Sequence, residues 1–312
     1  MASNRGEGVA EGIRRGRGSI VQVFTSGVRR IIGLGVLLAA VQLAAAGSAL
    51  EEAGALYQRT EYGKALGLLL AVEPKTAPVH ALIGKCYYGL EDFKNATEAL
   101  ERAVAADPQN SHSVDWLGKA YGRRAETSSF LTAPSYASQA RKYFEQAVKL
   151  DPQNQSALDD LFDYYLEAPG FLGGGQDKAA ALSERVRERN PAKYHSMQAR
   201  LAEKRKQFQE AEKHWRQAVE SAPSEAGRLA SLAKFLARQS RYAESEEVFE
   251  KAARTAPENA QLKFERAKTY VESKRNLDQA RKLLQEYLNA PLTPDDPPRS
   301  EARKLLEKAA RS

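Results

Sequence analysis

Few side chains of this 312-residue chain have the types and spacing that catalysis or metal binding requires. The single cysteine, Cys86, excludes an intramolecular disulfide and a thiolate metal cluster. The four histidines are scattered, and none is paired with another at metal-ligand spacing. The sequence contains no nucleophile elbow, HExxH motif, phosphate-binding loop or CxxC motif. We therefore predict a protein that is not an enzyme and holds no metal ion or other cofactor.

Three carboxylates recur within one turn of a predicted helix, at Asp159, Asp160 and Asp163. Carboxylates alone make a weak case for acid–base chemistry, so a solvated helix face is the favoured interpretation. Cys86 is expected to be a small buried side chain rather than a reactive thiol. His80 falls at a packing position and is expected to be structural.

The elements that position these residues are predicted to be helices. The chain is 42% hydrophobic and 28% charged, as in soluble globular proteins. Strong helix formers dominate, and no run alternates in the manner of a strand. The formal charge is +7, of which six Arg and two Glu in residues 1–49 contribute +4, leaving +3 for the body. This distribution weakens a nucleic-acid interpretation of the whole chain.

The first 49 residues have the pattern of a leader. An uncharged stretch, Ile31–Ala46, follows Arg29-Arg30, and small residues surround a cleavage site before Gly47. This predicts a signal peptide and export to the periplasm or the exterior. The alternatives are an uncleaved anchor over Ile31–Leu50 in the inner membrane, a buried or spurious segment, and a later translation start at Val28.

The body repeats an outline at long intervals. Leu100–Asn110 reads LERAVAADPQN, Phe144–Asn154 reads FEQAVKLDPQN, and Phe249–Asn259 reads FEKAARTAPEN. Self-similarity of this kind indicates a repeat architecture. Each string has the form of a second helix followed by a proline-containing turn, because proline cannot continue a helix.

The unit beginning at Ala77 shows the full pattern. Large residues occupy positions 4, 7, 11 and 24, small residues positions 8, 20 and 27, and proline position 32. This pattern resembles the tetratricopeptide repeat, a helix–turn–helix of about 34 residues. Small side chains at Gly84 and Ala96 would let the two helices approach closely, with Tyr87 and Leu100 filling the space around them.

The resemblance covers about residues 50–310 and implies an all-α, right-handed α-solenoid of about seven helix–turn–helix units. A degenerate first unit is predicted at 50–74, and six units at 77–291 with inserts near 123–139 and 168–178. Residues 292–312 are expected to form a linker and a capping helix.

In this family the first helix of each unit lines a concave groove with its positions 2, 5, 9, 12 and 13. The resemblance thus gives a candidate groove of Lys85, Tyr88, Lys119, Arg123, Arg200, Lys204, Lys234, Arg238, Phe264 and Lys268, interrupted by Asp159, Asp163 and Glu167. Such a basic groove suits an acidic peptide or a carboxylate terminus, although the asparagines of a carboxylate clamp are missing. The alternative is that these side chains only solvate the surface.

The loop APGFLGGG, Ala168–Gly175, lies outside the repeat pattern. It is either a loop that lets Asp177 cap the next helix, or a partner-contacting loop with Phe171 and Leu172 as an apolar tip.

The sequence as a whole predicts a non-catalytic scaffold that is exported to the cell envelope and binds a protein or peptide. One alternative is a membrane-anchored assembly factor for envelope or secretion machinery. The other is binding of an anionic polymer or RNA by the groove and the Arg/Gly leader.

Overall fold

The computed structural model describes residues 47–311, and every regular element in that range is helical. The predicted leader, its cleavage site and the uncharged part of the proposed anchor up to Ala46 lie outside the described residues. The helices are α1 (47–58), α2 (Tyr62–Ala71), α3 (Ala77–Gly89), α4 (Phe93–Ala106), α5 (Ser111–Thr127), α6 (Ala133–Leu150), α7 (Gln155–Glu167), α8 (Gln176–Glu184), α9 (Pro191–Lys204), α10 (Phe208–Ser221), α11 (Ala226–Arg238), α12 (Tyr242–Thr255), α13 (Ala260–Ser273), α14 (Leu277–Asn289) and α15 (Arg299–Arg311), with a short 3-10 turn at Gly170–Leu172.

The asparagine that closes each repeated string caps the next helix. The side chain of Asn110 accepts a hydrogen bond from the backbone N–H of Ser113 at 2.9 Å. Asn154, Asn190 and Asn259 cap α7, α9 and α13 in the same way. A side-chain acceptor at this position satisfies one of the free N–H groups of the first turn. The proline and asparagine of the turn therefore end one helix and start the next.

Within a unit, the two helices pack closely where the sequence provides small residues. A Cβ atom on Gly84 would lie 2.5 Å from Leu100 Cγ on the partner helix. A Cβ atom on Gly118 would similarly meet the ring of Phe144 at 2.7 Å. Because real Cβ contacts are not this short, glycine is required for the observed helix separation.

Successive units stack so that the first helices form one row. Contacts join α3 to α5, α5 to α7, α7 to α9, α11 to α13 and α13 to α15. The paired helices also contact each other, and the core runs between the rows, with Phe162, Phe235 and Phe249 fully buried. The described chain is thus an all-α solenoid, as the sequence predicts.

The predicted insert near 123–139 is mostly helical rather than a loop. α5 and α6 continue for 17 and 18 residues, whereas α3 and α7 have 13 each. The extra length, about one turn per helix, makes a projecting hairpin with Phe130 and Leu131 exposed at its tip.

The two ends of the solenoid meet through the linker, residues 290–298, and the first residues of α15. Arg299 Nη1 donates to Thr60 Oγ1 at 3.1 Å, and Ser300 Oγ donates to Glu91 Oε1 at 2.5 Å. Tyr287 O–H donates to the carbonyl of Pro297 and holds the linker against α14. The capping helix α15 follows directly, with Ala302 and Ala309 buried. Between residues 47 and 311, no helix combines the length and apolarity needed to cross a bilayer.

Candidate functional site: the inner face of the first helices

The predicted groove cations do share one face, and acids from adjacent first helices pair with most of them. We call this series the ion-pair ladder. Its members are Lys119–Asp160 (3.1 Å), Lys193–Asp159 (2.8 Å), Arg200–Asp163, Lys204–Glu167 (2.6 Å), Arg238–Glu203 (2.6 Å), Lys234–Glu265 (2.7 Å) and Lys268–Glu301 (3.0 Å). Each pair joins one first helix to the next. The face therefore carries both signs of charge, with much of its positive charge neutralised within the solenoid.

The pairs of the ladder are partly exposed. The side chains of Arg200 and Asp163 are 36% and 51% exposed, and those of Lys204 and Glu167 are 39% and 61% exposed. Pairs in such positions contribute about 0.2–1 kcal/mol each to stability. They leave charged groups accessible to a partner, which can bind alongside them or exchange with them.

The pair between α5 and α7 belongs to a more buried network. Ser156 Oγ donates to Asp115 Oδ2 at 2.9 Å, and Lys119 Nζ donates to Ser156 Oγ at 2.8 Å. Asp115 is 1% exposed, and its Oδ1 has no hydrogen-bond partner among the described residues. Burial, then the neighbouring Asp115 carboxylate, raise the pKa of Asp160 to about 7 against the opposing effect of Lys119. Asp160 is thus not the solvated acid that the sequence suggests.

Lys85 and Tyr88 lie at the N-terminal end of the face, beside Trp116. Tyr88 makes edge contacts with Trp116 and Phe93, with ring centroids 5.3 and 5.4 Å apart. Lys85 Nζ lies 5.2 Å from the Trp116 centroid, within the range of a cation–π contact. Unlike the ladder lysines, Lys85 makes no ion pair or hydrogen bond within residues 47–311.

Two other predicted site residues, Arg123 and Phe264, do not take part in the ion-pair ladder. Arg123 pairs with Glu126 on its own helix and stacks over Phe93, with its Cζ 4.9 Å from the ring centroid. Phe264, expected as an apolar groove anchor, is instead 1% exposed and packs on Tyr287 in the C-terminal core. It offers no surface to a partner, because its position on α13 faces α14 rather than the groove.

The loop between α7 and α8 places its two predicted residues differently. Phe171 is 82% exposed, whereas Leu172 is half-buried and its carbonyl accepts a hydrogen bond from Tyr164 O–H at 2.9 Å. Gly173 has φ +86°, and a Cβ atom on Gly174 would overlap the carbonyl oxygen of Ala168. The glycines therefore fold the loop tightly against α7 and leave Phe171 at its tip.

Tertiary packing also brings together groups that sequence reasoning left apart. His195 on α9 and His214 on α10 approach with their Nδ1 atoms 2.9 Å apart, and burial lowers the pKa of both. Their separation of 19 residues spans two antiparallel helices, so the unit geometry could have indicated the contact. No group of three or more metal-ligating side chains occurs in the part of the chain that the structure describes. Cys86 is buried, which raises the pKa of its thiol to about 12.

The fold defines the class of this protein, and matches to sequence profiles define its family. The row of paired helices with a charged inner face defines an α-solenoid repeat protein. Residues 196–260 and 231–297 match one tetratricopeptide-repeat profile, and 77–110 and 136–154 match another. The chain is a tetratricopeptide-repeat protein, and repeats of this family are protein-interaction modules.

Individual proteins resemble this chain at low identity or over a short segment. A tetratricopeptide-repeat protein of Parabacteroides merdae has a TM-score of 0.56 and 14% identity, covering 85% of this chain and 99% of its own. A thermophilic repeat protein of Thermus thermophilus has a TM-score of 0.48 and 20% identity, covering 64% of this chain and 98% of its own. Anaphase-promoting complex subunit 3 of Dictyostelium discoideum is 36% identical over 62 residues. That segment is 19% of this chain, which spans only 6% of that protein.

Proposed function

We propose that this protein is a non-catalytic scaffold that holds a protein or peptide partner on the inner face of its first helices. The observation that carries the proposal is the ion-pair ladder, a row of partly exposed charges that the first helices hold along one face. A partner that supplies its own charged and polar groups can bond to this row without ordering the scaffold first. The buried Phe264 is left out of the proposed surface.

The mixed charge of the ladder favours a partner that also carries both signs over a long polyanion. An RNA or acidic polymer gains its affinity from unpaired cations and released counterions. In the ladder, each cation already has an acidic neighbour on the next helix. The N-terminal end of the face, at Lys85, which is unpaired within residues 47–311, is the part that best suits an acidic group.

The test compares partner recovery by three forms of the full chain. The first is the unmodified protein, the second carries Lys119→Glu, Arg200→Glu and Lys234→Glu, and the third exchanges one pair through Arg200→Asp with Asp163→Arg. The triple variant should lose the partners that the unmodified chain retains. Because the exchanged residues can still form an ion pair, the melting temperature measured by circular dichroism should not change. Partner binding should weaken, because the positive and negative charges of this pair have changed places.

Proteins that are recovered with the unmodified chain are then purified, and their dissociation constants for each of the three forms are measured directly. Equal dissociation constants for all three forms, with folding intact, would remove the inner face from the proposal. Affinity that falls steeply and log-linearly with salt, and that nucleic acid competes away, would instead indicate polyanion binding.

We further propose that the scaffold acts in the bacterial cell envelope, on the strength of the sequence of residues 1–49. The basic residues, the uncharged stretch and the small-residue site support a cleaved signal. Cell fractionation with N-terminal sequencing tests this. A mature chain that starts at Gly47 in the periplasm or medium supports export. A full-length chain in the membrane fraction supports the anchored assembly factor, and a full-length chain in the cytosol excludes both.

A further inference from the structure

A cavity lies where the linker crosses back to the first units. It has a volume of about 490 Å³ and is bounded on one side by the linker and the start of α15, and on the other by α1–α5. The contacts of Arg299 with Thr60 and of Ser300 with Glu91 hold the two sides together. This volume lies in the range of small-molecule sites, about 300–1,000 Å³.

Aromatic rings form much of the cavity wall. They are Tyr57, Tyr62, Tyr88, Phe93 and Trp116. Tyr57 and Tyr62 pair with centroids 5.5 Å apart, and Tyr88 links Phe93 to Trp116. Rings in tilted and edge-on arrangements present both edges and faces, so a further ring can pack among them.

The acidic groups of the wall already have partners. Glu91 accepts from Ser300, and Glu301 accepts from Lys268 at 3.0 Å. Asp296 Oδ2 accepts from the backbone N–H of Thr293 at 2.8 Å and from its hydroxyl at 2.9 Å. None of these carboxylates is directed to Lys85.

Lys85 is the contrasting case, because its ammonium group lies in the wall without an acidic partner. Burial is the main cause that lowers the pKa of Lys85, and Lys119 adds to it, while Asp115 and Asp295 oppose it from beyond ion-pair distance. A partly buried cation without a counter-ion is costly, and an anion placed beside it would recover that cost.

We propose that this cavity binds a compact aromatic carboxylate, with its carboxylate at Lys85 Nζ and its ring against Tyr88 and Trp116. The inference rests on the proposed function, because the cavity is the N-terminal end of the same inner face. Such a group can be a free aromatic acid or the C-terminal residue of a peptide. Both have the same chemistry at the site.

Trp116 provides the signal for a test on the full chain. The protein has two tryptophans, and Trp215 is buried between α9 and α10, so Trp215→Phe leaves Trp116 as the reporter. Phenylacetate and acetyl-Ala-Ala-Phe with a free carboxylate are titrated, each beside its amide. We expect saturable fluorescence change with the acids and at least about tenfold weaker binding of the amides, the loss of one charge-assisted bond.

Three lysine variants decide the role of the charge. Lys85→Met should weaken binding about tenfold, and Lys85→Arg should restore most of it. Lys213→Met is the matched control, since it removes a lysine on α10, outside the inner face, that already pairs with Glu210 at 3.3 Å. The tighter of the two acids identifies the source of the ligand.

Equal binding of acids and amides, no saturable change with either acid, or unchanged affinity in a folded Lys85→Met variant would overturn the inference. Failure of this inference can be distinguished from failure of the proposed function. If neither acid binds but partner recovery is retained, the cavity ligand alone is excluded. If either acid binds and the ladder variants still recover every partner, the proposed scaffold surface alone is excluded.

Discussion

Lys234 Nζ on α11 lies 2.7 Å from Glu265 Oε2 on α13, so a side chain that the repeat pattern assigns to the groove also ties two units together. The same arrangement recurs along the ladder. Charge on the inner face and the stacking of the units are therefore linked, and a substitution that alters one alters the other.

The Lys234–Glu265 pair is expected to stabilise the solenoid modestly. A double-mutant cycle with Lys234→Met and Glu265→Gln should give a coupling energy of about 0.5–1 kcal/mol, because the side chains are only 33% and 20% exposed. Urea unfolding measures it. The coupling should shrink in 1 M salt, where the screening length is about 3 Å, and a value near zero at low salt would show that the pair contributes nothing.

Glycine at position 84 is expected to be required for helix packing. Gly84→Ala should destabilise the protein by about 1–3 kcal/mol, since the new methyl group meets Leu100 and the carbonyl oxygen of Ala96. Gly122→Ala is the control, because a Cβ atom there has no neighbour within 4 Å. It should stabilise α5 by up to about 1 kcal/mol. Equal effects of the two substitutions on thermal unfolding would refute the close-approach argument.

The Asp160 carboxyl should make stability fall as pH rises. Its pKa of about 7 in the folded chain exceeds the unfolded value of about 3.9. The contribution is thus complete below about pH 4 and lost as pH rises through 7. Asp160→Asn should remove this dependence, so the difference in unfolding free energy between the two proteins should change between pH 4 and 8.

Phe171 should matter for a partner and not for folding. Phe171→Ser is expected to leave the melting temperature unchanged, because the ring is 82% exposed, and to reduce partner recovery if the loop is a contact. Phe130→Ser is matched in exposure at 83% on the neighbouring hairpin tip. If both variants recover partners as the unmodified chain does, neither tip is a contact.

Much of the fold follows from residue types at fixed spacing. The small residues at Gly84 and Gly118, and the Pro–x–Asn turns, fix where helices pack and end, and these are short-range properties. The α5–α6 hairpin was harder to predict. The ten extra residues of that unit fit a loop or longer helices equally well by length, and only packing of α5 on α6 decides between them.

The sequence by itself determined a solenoid of helix pairs, because residue types at short-range spacing fix where each helix begins, ends and packs on its partner, whereas the candidate groove cations follow only from the resemblance to tetratricopeptide repeats. Tertiary structure alone decided which acid each cation meets, that Asp115 and Asp160 share one buried site, and that the linker and the start of α15 return to Thr60 and Glu91 to close a cavity around Lys85. Those relationships depend on the rotation between successive units. This rotation adds up along the array from many small packing contacts, so it cannot be inferred from the sequence of any single repeat.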